Sequence, residues 1–162
     1  MHAGVLVVVT ALVTVGPMLA SAAGVPGGTG SPDTVRVSVG SSGQQANSIN
    51  GRFSAPAVNG SGDVVAFDSI ASTLVSSDTN RSADIFVHET PAGETTRVSV
   101  NSRGRRANDD SQRPDLSGDG QLVVFDSGAT NLAPGAADAN GGLDVFLHDR
   151  GLGQDHSSQR GS

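Results

Sequence analysis

The sequence predicts an all-β fold built from two repeats of four antiparallel strands each, and three observations carry that prediction. Residues 78–89, DTNRSADIFVHE, return as residues 138–149, DANGGLDVFLHD, 60 positions further on. Between turn residues, apolar and polar side chains alternate with period two, which puts every second residue on one face of a strand. No stretch after residue 33 carries apolar positions at helical spacing.

Composition agrees with a fold rich in tight turns. The chain has 162 residues and 22 glycines, with abundant Ser, Asn and Asp, the residues that close turns. Cysteine is absent, so neither a disulfide nor a thiolate ligand or nucleophile is available. Five Phe are the only aromatics. The core must therefore come from Val, Leu, Ile and Ala, with Phe67, Phe86, Phe125 and Phe146 as its largest pieces. Net charge is −6 and every cationic side chain is Arg. An acidic chain without aromatic–basic patches is unsuited to nucleic acid, because phosphate binding needs clustered cations. Arg103, Arg105 and Arg106 do cluster, but the other repeat has Ser42-Gly43-Gln44-Gln45 there, so they read as a solvated loop.

The first element is the apolar run Gly4–Gly24, broken by Gly16-Pro17 and ending in Ala20-Ser21-Ala22. It reads as a signal peptide over residues 1–22, cut near Ala22, which would place the mature chain outside the cell, at its surface or in a periplasm. The competing reading is an uncleaved membrane anchor, for which about 20 apolar residues suffice. Residues 23–33 read as a flexible leader.

From residue 34 the chain aligns on itself. Arg36-Val37-Ser38-Val39 returns as Arg97-Val98-Ser99-Val100, and Phe67-Asp68-Ser69 as Phe125-Asp126-Ser127. Asp84-Ile85-Phe86-Val87-His88 returns as Asp144-Val145-Phe146-Leu147-His148. The spacing drifts only in Gly/Asn-rich loops, where insertions cost little, and a fixed period with gaps in turns marks a repeat architecture. The strands expected in the second period are TTRVSV (95–100), RPDLS (113–117), QLVVFDS (121–127) and GLDVFLHD (142–149). QLVVFDS is apolar enough to be buried on both faces. A four-stranded sheet of this kind needs neighbours over both faces.

The order Pro-x-strand-Ser-Gly-Asp-Gly-strand-Phe-Asp-Ser, then Asp-Val-Phe-Leu-His-Asp, then Thr-Thr-Arg-Val-Ser-Val, resembles the TolB-type, WD-like β-propeller repeat in its long-loop secreted bacterial version. The resemblance covers about residues 34–150. Repeat one departs from it at the turn, with Asn59-Gly60-Ser61-Gly62. It implies non-enzymatic scaffolding and binding, and two β-propeller blades of four antiparallel strands each, over about 34–94 and 95–150. Named from the innermost strand outwards, the phase is d-abc-d-abc, with residues 34–39 as a d strand that no blade precedes. The second d strand should begin near residue 155, but residues 151–162 read as a disordered tail. Two blades cannot close a ring of about four to eight. Two readings stay open: a partial propeller cut from a longer protein, or one part of a homo-oligomeric ring.

The remaining question is chemistry. Asp78, Asn80 and Asp84, and their counterparts Asp138, Asn140 and Asp144, place oxygen ligands in Gly/Ser-rich loops entering a strand. Ca²⁺ takes six to eight oxygens, so these are candidate Ca²⁺ loops, and the competing reading is metal-free turns shaped by Asx side chains. His88 and His148 recur at equivalent strand ends, which favours a role in building the repeat, since an active site is needed once. No nucleophile elbow, zinc-binding helix or phosphate loop occurs. The expectation is no enzyme and no cofactor, with Ca²⁺ as the one candidate: a secreted, non-catalytic module that binds a protein or a glycan. The alternatives are a fragment of a longer propeller, or a propeller-based hydrolase or lyase. For that last reading, Asp109, Asp110 and Arg113 are ionisable residues found in one repeat only.

Overall fold

A computed structural model describes residues 34–51, 54–133 and 140–151. The expected signal peptide, the 23–33 leader, Asp138 and residues 152–162 lie outside the described residues.

Seven strands form two antiparallel sheets, and the described residues contain no helix. The first sheet is the meander β1 (Ala57–Val58), β2 (Val64–Ser69), β3 (Asp84–Glu89) and β4 (Glu94–Arg97), neighbours in that order. The second is β5 (Ser111–Leu116), β6 (Leu122–Ser127) and β7 (Asp144–Asp149). β6 and β7 repeat the register of β2 and β3 residue for residue: Phe67 faces Phe86 and Phe125 faces Phe146, with ring centroids 6.0 and 5.9 Å apart. Two such meanders packed face to face are consistent with a partial propeller.

The turns explain why the strands start where they do. Between β1 and β2, the Asn59 carbonyl oxygen accepts from the backbone N–H of Gly62, Asp63 and Val64, each at 3.1 Å. One side chain thus replaces the partners that a tight turn denies the backbone. Between β5 and β6 the same work falls to Ser117, whose Oγ accepts from Leu122 N–H, and to Asp119, which accepts from Gln121 N–H. The two turns touch, with Gly60 N–H donating to Gly118 O at 2.8 Å. A Cβ on Gly60 would lie 2.9 Å from that oxygen, so only glycine allows the approach. β5 carries a bulge between Gln112 and Asp115, where Arg113 takes a φ of 54°. Pro114, which has no N–H to give a ladder, sits inside it.

The main core lies between the sheets. Val64, Ala66, Ile85 and Val87 on one face of the first sheet meet Val123, Phe125, Leu116 and Phe146 of the second. Val98 and Ala107, on the chain joining the sheets, complete this layer. A smaller cluster of Phe67, Phe86, Ala71 and Leu74 fills the opposite face of the first sheet, with Ala46 and Val75 against it.

Three strand expectations need correction. Residues 34–38 form no strand, and Val39 makes only an isolated bridge to Gln45, because no strand edge runs along them among the described residues. The strand expected over 95–100 ends at Arg97. Beyond it Val98 turns into the core between the sheets and Ser99 bonds to Asp84. The second sheet has three strands among the described residues, as the d-abc-d-abc phase implies. QLVVFDS was expected to be buried on both faces; its counterpart β2 is, apart from a half-buried Val65, but β6 is not. The outer face of the second sheet has no layer over it among the described residues. It leaves Val145 72% and Leu147 67% exposed, beside Leu122 and Leu143.

Candidate functional site

The acidic loop of the first repeat closes around an arginine. Asp84 opens β3 fully buried and Asp78 is nearly so. The Arg97 guanidinium, from β4, lies between them, 3.1 Å from Asp84 and 3.4 Å from Asp78. Asp84 also accepts from Asn80 Nδ2 at 3.0 Å and Ser99 Oγ at 2.7 Å. Asn80 in turn accepts from Ser82 N–H, in an Asx-type turn that carries Arg81 at a φ of 62°. Burial raises the Asp78 carboxyl above the usual carboxylate range, and the Asp84 charge adds to this. Arg97 and Arg106 oppose it. The carboxylates of this loop thus bond to side chains from β4, from the residues after it and from the loop itself. Among the described residues no group of three His, Cys, Asp or Glu is placed to hold a metal.

The second copy of the loop is built differently. Asn140 reaches Asp144 at 3.5 Å and accepts from Gly142 N–H at 2.7 Å. No arginine or serine reaches Asp144 among the described residues, because the second sheet has no strand in the place of β4. Asp144 is only half-buried, whereas Asp84 is fully so.

The histidines sit at matched positions in matched strands. His88 Nδ1 lies 2.8 Å from Thr95 Oγ1, whose own proton goes to Val39 O. The hydroxyl must then accept, so Nδ1 carries the histidine's proton. Burial lowers the His88 basicity, partly offset by Glu89. His148 is lowered by burial and then by Arg150, with Asp149 opposing. Arg150 also bonds to Glu89 and to Gly120 O, tying the end of the second sheet to the first.

The residues present in one repeat only do not converge. Asp110 caps the Ala83 N–H at 2.7 Å and Asp109 accepts from the Asp110 N–H. Arg113 pairs with Asp126 at 2.9 Å on the surface. The three basic residues of the 103–106 loop also part company: Arg106 binds Ser77 O, while the Arg103 and Arg105 N–H groups both donate to Asn101.

Sequence reasoning missed a concave feature among the described residues, an open cleft of about 1070 Å³ between β4 and β7. Thr96, Arg97 and Val98 form one wall, Phe146, Leu147 and His148 the other, and Phe125 lies at its base. The β7 wall is an unpaired strand edge among the described residues. In β3, the Ile85 N–H and C=O both point outwards, to Ser99 Oγ and to Val98 N–H. Because β7 keeps the register of β3, Val145 and Leu147 point their backbone groups the same way. The recurrence of Arg-x-Ser in 36–38 and 97–99, set beside that of Asp84 and Asp144, was the available signal.

No family model matches the chain, and no curated protein does either. Among solved structures the chain is similar to TolB from Acinetobacter baumannii, at 17% identity and a TM-score of 0.37. The match covers 68% of this chain and 20% of that one, so this chain spans about one fifth of the length of that structure.

Proposed function

We propose that the chain is a non-catalytic, exported module of TolB-like propeller type that binds a protein partner by taking an extended segment of it along β7. One observation carries this reading: the cleft between β4 and β7 ends in an unpaired strand edge with exposed apolar side chains beside it. An edge of that kind supplies main-chain hydrogen bonds to an added strand, and its side-chain pockets supply selectivity. The ionisable groups offer little to a reaction, since Asp78, Asp84, Arg97 and His88 are each bonded to groups of the fold itself. Export rests on the apolar Gly4–Gly24 segment.

Fluorescently labelled octapeptides with alternating β-branched residues, titrated with the protein and followed by anisotropy, test the reading. Saturable binding is expected. It should be abolished by Leu147→Pro, which removes an outward-pointing N–H, and kept by Leu147→Thr, which retains it. Peptides that fail to bind, or that bind the proline variant equally well, would exclude β7 as the receptor.

A further inference from the structure

We propose that the strand received by β7 is residues 34–39 of a second copy of this chain. The inference rests on the reading of β7 as a strand receptor and names the partner. Residues 34–39, TVRVSV, differ from residues 95–100, TTRVSV, at one position. The latter segment supplies the outer strand of the first sheet, with Thr95 opposite His88 and Arg97 opposite Phe86. The second sheet offers the same residues to an incoming strand: His148, Phe146 and, at its entry, Asp144.

Charge and packing match as well. In the first sheet, Asp84 is satisfied by Arg97 and Ser99 from that outer segment. Asp144 has no such partners among the described residues, and Arg36 and Ser38 stand at the matching places of TVRVSV. Val98 covers Ile85 and Val87 in the core between the sheets. Val37 of the incoming strand would stand in the same way over Val145 and Leu147, the most exposed large apolar residues described. Meanwhile 34–38 lies in no strand, its one backbone bond among the described residues being Ser38 O accepting from the Ala46 N–H at 3.1 Å; Thr34 to Arg36 are exposed, Val35 to 51%.

The donor cannot be the chain's own segment. Val39 O is held by Thr95 Oγ1, and Ser41 Oγ accepts from Thr95 N–H. Thr95 and Thr96 point to opposite faces of β4, and it is Thr96 that lines the cleft. Residues 34–41 therefore lie across the first sheet from β7. A contact in which one copy gives a strand and the next receives it is heterologous, and rings arise where the rotation closes.

The test is a cross-link in the full chain. Thr34 would face His148 as Thr95 faces His88, in a pair whose inward backbone groups leave the Cα atoms about 4.5 Å apart, within disulfide reach. The chain has no cysteine, so Thr34→Cys with His148→Cys can report only this contact. Oxidation should give reducible dimers and higher species on a denaturing gel. Arg36→Asp, at an exposed position that the fold does not need, should weaken self-association about tenfold by light scattering. Mixing Arg36→Asp with Asp144→Arg chains should restore it. A disulfide formed only within single chains, a scattering mass that stays monomeric, or charge reversals without effect would overturn the proposal. If the octapeptides bind β7 while the cysteine pair stays monomeric, the partner is wrong and the receptor stands. If neither occurs, both readings fall.

Discussion

Replacing Arg97 with Met should destabilise the fold by about 3 kcal/mol at pH 7. The guanidinium lies 3.1 and 3.4 Å from two carboxylates whose side chains are 0% and 5% exposed. Removing one partner of a buried ion pair costs about 3–5 kcal/mol, because the charge left behind is neither hydrated nor paired. The lower end applies here, since Asp84 keeps Ser99 and Asn80 as donors and Met retains the apolar stem. For a domain of this size the loss corresponds to a fall in melting temperature of about 10–20 °C. It is also a large part of a total stability of about 5–15 kcal/mol. The pH dependence supplies a second handle. The folded Asp78 carboxyl titrates above its unfolded value of 3.8, so its favourable contribution is present below that value and is lost as pH rises through the folded one. Without Arg97 the Asp78 carboxyl moves further up, so the deficit should be largest at neutral pH and shrink towards pH 4. Adding Asp78→Asn should recover part of it. Urea unfolding followed by far-UV circular dichroism at both pH values measures each quantity. A loss below about 1 kcal/mol at pH 7, or one that does not shrink on acidification, would refute the clasp.

Two further outcomes follow from the same bonding. Asn59→Ala leaves three backbone N–H groups of the β1–β2 turn without their acceptor, so it should cost about 2 kcal/mol in urea unfolding. Ser61→Ala, which leaves those acceptors in place, should cost far less. The folded-state basicities of His88 and His148 are both lowered from the ordinary 6.5. Their neutral forms therefore favour the fold above that pH, and stability should decline as pH falls below 6.5. His88→Gln should flatten part of that decline in a series of melts, and an unchanged slope would show that the histidine does not titrate on unfolding.

Much of the fold was legible because strand formation here is local. Period-two patterning placed β6 and β7 within two residues of their observed bounds, the repeat alignment carries those bounds to β2 and β3, and the Asn59 and Ser117 turns sit where Gly, Ser and Asn cluster. Residues 34–39 and 95–100 mark the limit of such reading. They are nearly the same hexapeptide, yet residues 94–97 are a strand and 34–38 are not. A strand needs a partner edge, and among the described residues only 94–97 lies along one, while Val39 makes a single bridge. The acidic loops teach the same lesson, since Asp84 and Asp144 look alike in sequence and differ in whether a strand brings Arg and Ser to them.

The sequence by itself determined the all-β class, the 60-residue period, the positions of the inner strands and the Phe residues that serve as the largest core pieces. These follow from nearest-neighbour chemistry: alternation, turn residues and repeat alignment. Tertiary structure alone decided that β2 and β3 are covered on both faces while β6 and β7 keep one open. It also decided that Arg97 stands between Asp78 and Asp84, and that a cleft runs along the β7 edge. Burial and ion pairing depend on which segments meet across the sheets, and two similar repeats acquire different surroundings when, among the described residues, one has a neighbour on each side and the other does not.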